Sequence, residues 1–302
     1  MKNKKLIVLL TATLFSLQAV AGGTIKVVTT LTDLQSIAQA IGGDKVEVSS
    51  IASGYQNPHF VDPKPSYIIK LSKADLFVTI GLDLETGWSP ALLNSSRNPK
   101  IQKGASGYVD ASDGVPLLQV PTSTSREQGD IHIFGNPHYW LNPLNGKQIA
   151  KNIYDGLVRV SPENKAYFAK NLAHFYATLD AKEKLWESMM APYKGAKVIV
   201  YHNEWVYFEH HFGLNIIDYL EPKPGIPPTP SQLVKVINEI KQNNIKLIIT
   251  SPYFSTKSAD VVARQTGAKV VVLATSVGAE DEIEDYFDLF QYNVNKIIQA
   301  LK

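Results

Sequence analysis

Residues 161–190, SPENKAYFAKNLAHFYATLDAKEKLWESMM, decide how the chain is organised. Ser161 stands where an N-cap would, and Pro162 suits the first helical position, where a missing N–H costs nothing. The helical pattern continues to Met190. Some 29 residues at 1.5 Å each give roughly 44 Å, long for a globular helix. The reading is one helix that runs the length of the molecule and joins two domains. A helix-loop-helix broken near Asp180 is the alternative that ordinary helix lengths suggest.

Strands and helices alternate on both sides of this segment. Upstream, Ile25–Thr30 (IKVVTT) reads as a buried strand and Leu31–Ile41 as a helix stopped by Gly42-Gly43. Val46–Ile51 and Leu76–Ile80 read as strands, with helices at Ser66–Ser72 and Trp88–Asn94 and short strands near Ile101 and Val109. Gly114–Gly129 is rich in Pro, Ser, Thr and Gln and is a loop. Gln148–Val158 is helical. Downstream, Val198–Tyr201, Leu214–Tyr219, Lys246–Thr250 and Val270–Ala274 read as strands. Helices are expected at Glu204–His211, Thr229–Gln242 (capped by Thr229), Ser258–Gly267 and Ile283–Leu301. The predicted fold class is α/β: two parallel-sheet domains with helices on both faces, joined by one long linking helix. The boundaries are 22–160 and 193–302 around a linking helix at 161–192.

Lys2, Lys4 and Lys5, an apolar run over Leu6–Leu17 and the small residues Ala19-Val20-Ala21 have the layout of a cleaved secretory signal over residues 1–21. The apolar run is shorter than the ~20 residues a membrane span needs. The expected product is soluble and periplasmic. Loss of three lysines leaves 27 basic against 28 acidic residues, which argues against nucleic acid or an anionic membrane as the partner. With no cysteine, disulfides and an anchor on an N-terminal Cys are ruled out, and any metal site must use His and carboxylates.

There are seven histidines. His59 lies in Asn57-Pro58-His59-Phe60-Val61-Asp62-Pro63, and His138 in Asn136-Pro137-His138-Tyr139-Trp140-Leu141-Asn142-Pro143. The prolines stiffen each loop. His202 directly follows a strand, and ligand sites of parallel α/β sheets lie beyond the carboxyl ends of strands. The three could meet in a cleft between the halves, where three neutral imidazoles suit zinc. Separations of 79 and 64 residues carry no metal spacing, so structural hydrogen-bonding histidines remain the alternative.

Five segments carry a resemblance: IKVVTTLTDLQSIAQAIGGDKVEV (25–48), NPHFVDPKPSYIIKLSKADLFVTIGLDLE (57–85), NPHYWLNPLNGKQIAKNI (136–153), VIVYHNEWVYFEHHFGL (198–214) and EDYFDLFQYNVNKI (284–297). Through them the chain resembles the zinc/manganese-type substrate-binding proteins of bacterial metal ABC importers, the cluster A receptors. The resemblance implies a metal cleft between two α/β domains bridged by a long helix. It maps three His ligands onto His59, His138 and His202. It also implies a monomer that serves an inner-membrane ABC permease with its ATPase, with a periplasmic metal chaperone as a further partner. The family's fourth ligand, an Asp after the last strand, is replaced here by Thr275 or Ser276. Candidates for that position are Glu204, Glu280, Asp281 or water. Three His and no assured carboxylate favour Zn2+ over Mn2+. The loop 114–135 holds few ligand types, Asp130 and His132 among them, His132 being either an auxiliary site or an exposed residue. His174 is expected at the surface, and Glu209-His210-His211 at a solvated helix end.

Two other classes of function compete. A three-His zinc hydrolase would need a general base, for which Glu204 is the one candidate; an adhesin would need an anchor. No Gly-x-Ser-x-Gly, phosphate loop or Gly-x-Gly-x-x-Gly is present.

Overall fold

The computed structural model describes residues 23–122 and 132–302. The signal segment expected at 1–21 and the middle of the 114–135 loop, Asp130 included, lie outside the described residues.

Two four-stranded parallel sheets form the frame. The first holds β1 (Ile25–Thr29), β2 (Val46–Ser50), β3 (Leu76–Thr79) and β4 (Tyr108–Asp110), in the order β2-β1-β3-β4. The second holds β5 (Lys197–Val200), β6 (Asn215–Tyr219), β7 (Leu247–Thr250) and β8 (Lys269–Val272), in the order β6-β5-β7-β8. The two orders are the same topology, although the sequences show no repeat. Central strands are buried on both faces, which is why LFVT and LIIT read as unbroken apolar runs rather than alternations. In β5, Val198 and Val200 join the main core, while Ile199 points into a second cluster beneath α7 (Pro230–Asn243) and α8 (Lys257–Thr266).

The remaining helices are α1 (Thr32–Gly42), α2 (Pro65–Ser72), α3 (Ser89–Ser96), α4 (Asn145–Val160), α5 (Lys165–Met190), α6 (Val206–Phe212) and α9 (Tyr286–Leu301). The expected strand near Ile101 is instead a 3-10 turn, Pro99–Ile101. Thr229 caps α7 as read, its hydroxyl accepting the Gln232 N–H at 3.2 Å.

The linking helix is α5, unbroken through Asp180 over 26 residues and entered through a 3-10 turn at Pro162–Asn164. Ser161 does not cap it. Its hydroxyl donates to the Glu163 carboxylate and accepts from the Asn164 amide at 2.8 Å, so it is used up locally. Phe168, Leu172, Phe175, Leu179, Glu183, Trp186 and Met190 form the buried stripe of α5, at the three- and four-residue spacing of one helix face. This stripe packs on α1, α4 and α9.

One apolar core runs through both sheets, so α5 braces the halves rather than joining them as a free hinge. Polar contacts fasten the seam. Trp140 Nε1 donates to the Thr275 carbonyl at 2.8 Å, and the Tyr286 hydroxyl to the Trp140 carbonyl at 2.7 Å. Asp33 Oδ1 accepts the Val277 N–H at 3.1 Å. Gly54 lies flat on this seam: a Cβ there would stand 2.1 Å from the Val277 carbonyl oxygen. Glycine therefore lets the loop leading to His59 press against the second half.

Candidate metal centre

Each histidine is held by short-range polar contacts. The two Asn-Pro-His loops use the same kind. Asn57 Oδ1 accepts the His59 backbone N–H at 3.0 Å, and Asn136 Oδ1 accepts that of His138 at 3.0 Å. The prolines restrict these loops, and the asparagines tie the turns. Trp88 Nε1 donates to the Pro58 carbonyl at 3.0 Å and pins the first loop. Asn136 Nδ2 donates to the Asn203 carbonyl at 2.8 Å, so the second loop is bonded to the residue after His202.

The three rings meet. His59 Nε2 lies 3.1 Å from His138 Nε2, and ring centroids are 5.1 to 5.6 Å apart. One nitrogen from each of His59, His138 and His202 falls within 4.8 Å of the others. His138 Nδ1 is 3.0 Å from Asn136 Oδ1, and His202 Nδ1 is 2.7 Å from Glu221 Oε2. An Nδ1–H held by an oxygen leaves the Nε2 lone pair turned to the shared space, the arrangement that orients metal-binding imidazoles. Burial, followed by the charge on the neighbouring rings, holds His59 and His138 well below the ordinary histidine range. Both rings are therefore neutral at physiological pH.

Other predicted residues fall differently. His132 stacks near His59, centroids 5.0 Å apart, and lines a small cavity of about 80 Å³ with His138 and His202. Glu204 is fully buried beside His202, but its carboxylate accepts the hydroxyls of Ser251 and Tyr253. Burial raises its carboxyl above the usual range. Glu280 and Asp281 are exposed in the loop before α9, and neither enters the cluster among the described residues. Thr275 and Ser276 are buried in the seam between the sheets. His174 and His210 are exposed as read, but His211 is not. Successive helix residues point about 100° apart, and His211 turns inward against α5.

Sequence reading missed Glu221. Only the fold reveals it, because Val200 pairs with Tyr219 in the β5–β6 register. The pairing continues as Leu220 and Glu221 donate their N–H groups to the Val200 and Tyr201 carbonyls, which brings Glu221 beside His202. Outer-sphere partners of metal-bound histidines are worth 10–100-fold in affinity, so Glu221→Ala is expected to weaken metal binding by roughly that factor without unfolding the protein. Competition titration against a chelator measures it; unchanged affinity would show that His202 needs no orienting carboxylate.

A family model described as zinc-uptake complex component A, periplasmic, matches residues 27–300. The high-affinity zinc uptake system protein ZnuA of Bacillus subtilis (strain 168) is 29% identical over 292 residues, covering 93% of this chain and 88% of that protein. The manganese ABC transporter substrate-binding lipoprotein PsaA of Streptococcus pneumoniae is 28% identical, covering 99% of each. A crystal structure of ZnuA, 28% identical, superimposes with a TM-score of 0.79 and covers 92% of this chain and all of that one. With its paired parallel sheets, bracing helix and clustered histidines, the chain belongs to the family of periplasmic zinc-uptake component A proteins.

Proposed function

We propose that this protein is a periplasmic receptor that captures one Zn2+ with His59, His138 and His202 and delivers it to an inner-membrane ABC permease driven by its ATPase. The observation that carries this reading is the convergence of three imidazole rings, those of His138 and His202 buried and with Nδ1 engaged by Asn136 and Glu221. Such a set is prepared for a metal before the metal arrives. The cargo is written as zinc because the facing donors are all nitrogen, whereas manganese prefers carboxylate oxygen. Water completes the coordination. The protein works as a monomer after removal of residues 1–21, its halves bounded at 22–160 and 193–302, and a chaperone is a second route by which metal reaches it. A hydrolytic role is disfavoured because the Glu204 carboxylate is already engaged by two hydroxyls and cannot serve as a free base.

Elemental analysis of the purified protein with zinc and manganese titrations tests the reading. One tight Zn2+ per chain and weaker Mn2+ are expected; tighter Mn2+ would reassign the cargo. The pH dependence follows from burial. Metal binding needs neutral imidazoles, and protons compete once the pH falls through the ring pKa values. An exposed site would lose affinity from about pH 6.5 downward. With His59 and His138 depressed well below that value, affinity is expected to hold through pH 6.5 and to fall only at more acid pH. Competition titrations between pH 8 and 5 check this, and a decline starting at neutral pH would contradict it.

A further inference from the structure

One member of the buried stripe of α5 is out of place. Between Leu179 and Trp186 stands Glu183, an acid whose side chain is only 12% exposed. Glu187 follows one turn later, on the same face and in the last turn of the helix. Carboxylates are disfavoured there because the helix carries its negative end at the C-terminus. From the next helix, α6, His211 reaches into the same spot. Its side chain is 5% exposed, its Nε2 lies 3.6 Å from Glu183 Oε1, and that nitrogen has no hydrogen-bond partner. Gly213, in the left-handed conformation at φ 72°, ends α6 two residues later, so His211 itself lies in the last turn of its helix, the negative end. Burial lowers the imidazole to about 4, which leaves a neutral nitrogen, and Glu183 is raised by burial and by the adjoining Glu187.

These features share one remedy. An imidazole nitrogen and two carboxylate oxygens lie within 4.8 Å of one another. A single divalent cation between them would neutralise both acids, satisfy the nitrogen and sit at two negative helix ends. Zinc accepts both histidine nitrogen and carboxylate oxygen.

We propose that Glu183, Glu187 and His211 form a second divalent-cation site, separate from the three-histidine centre and built from different residues. It fastens α5 to α6, the helix that begins four residues after His202. Its mixed oxygen and nitrogen donors take Zn2+, and Mn2+ more readily than the three-histidine centre does.

Equilibrium dialysis of the full chain against zinc alone, read by elemental analysis, tests the proposal. Two Zn2+ per chain are expected, one tight and one weaker. His211→Ala and Glu183→Gln each remove the weaker equivalent and leave the tight one in place. His138→Ala does the reverse, so failure of either site is read separately. Should Glu183→Gln fail to fold, the exposed Glu187→Gln serves the same purpose. A single Zn2+ in the unaltered chain at millimolar free zinc overturns the proposal. So does a second equivalent that survives all of these substitutions, and the two acids then simply share a proton.

Discussion

Replacing His138 by alanine is expected to lower zinc affinity by more than the roughly 100-fold that outer-sphere substitutions reach at metal sites. The ring is almost fully buried, its Nε2 faces that of His59 at 3.1 Å, and its other nitrogen is fixed by Asn136. Removing it deletes a donor that was oriented in advance. Glu204→Gln supplies the contrast. The Glu204 carboxylate is held by Ser251 and Tyr253, and glutamine keeps an oxygen for one of those hydroxyls. Affinity in that variant is expected to stay within a few-fold of the unaltered protein. Isothermal titration with zinc separates the two, and an equal loss in both variants would make Glu204 the fourth ligand. Unchanged affinity in His138→Ala would remove that ring from the site altogether.

Much of this architecture is legible in the chain because it rests on local signals. The continuous apolar strands, the Pro-initiated helices and the uninterrupted run to Met190 follow from propensity and period. The paired Asn-Pro-His loops point to two placed histidines, and the strand end to a third. Legibility fails where a residue's role depends on a distant neighbour. Glu221 serves His202 only because β6 lies beside β5 in a register that sequence does not display. His211 reads as part of a solvated helix end because nothing in Glu209-His210-His211 reveals that its ring meets Glu183 of α5. The brace formed by α5 is legible only in part for the same reason. Its length was apparent, but its packing against α9, more than a hundred residues later, was not.

The seam that α5 braces contains the group with the largest expected effect on stability. Asp33 is completely buried beneath Val277, and burial pushes its carboxyl up to about 7, against the hydrogen bonds of Ser276 and the Val277 amide. In the unfolded chain an aspartate titrates near 3.9. Between those values the folded protein keeps a proton that the unfolded chain has released. Stability from this group is therefore fully present below about pH 4 and is lost as pH rises toward 7, after which it stays constant. The buried rings of His59 and His138 act in the opposite sense, because the unfolded chain protonates them below pH 6.5 while the folded protein does not. A pH profile of the unaltered protein thus mixes two opposed slopes. Asp33→Asn isolates one of them. Asparagine keeps an oxygen for the Val277 N–H and has no charge to bury. The variant is expected to match the unaltered protein near pH 4 and to exceed it increasingly toward pH 7, by up to roughly 4 kcal/mol at about 1.4 kcal/mol for each pH unit. Urea unfolding of both proteins with metal removed by chelator reads this difference. A gap that stays flat from pH 4 to 8 would mean that Asp33 is charged in the folded protein, and the seam would then owe its strength to an ion rather than to a shared proton.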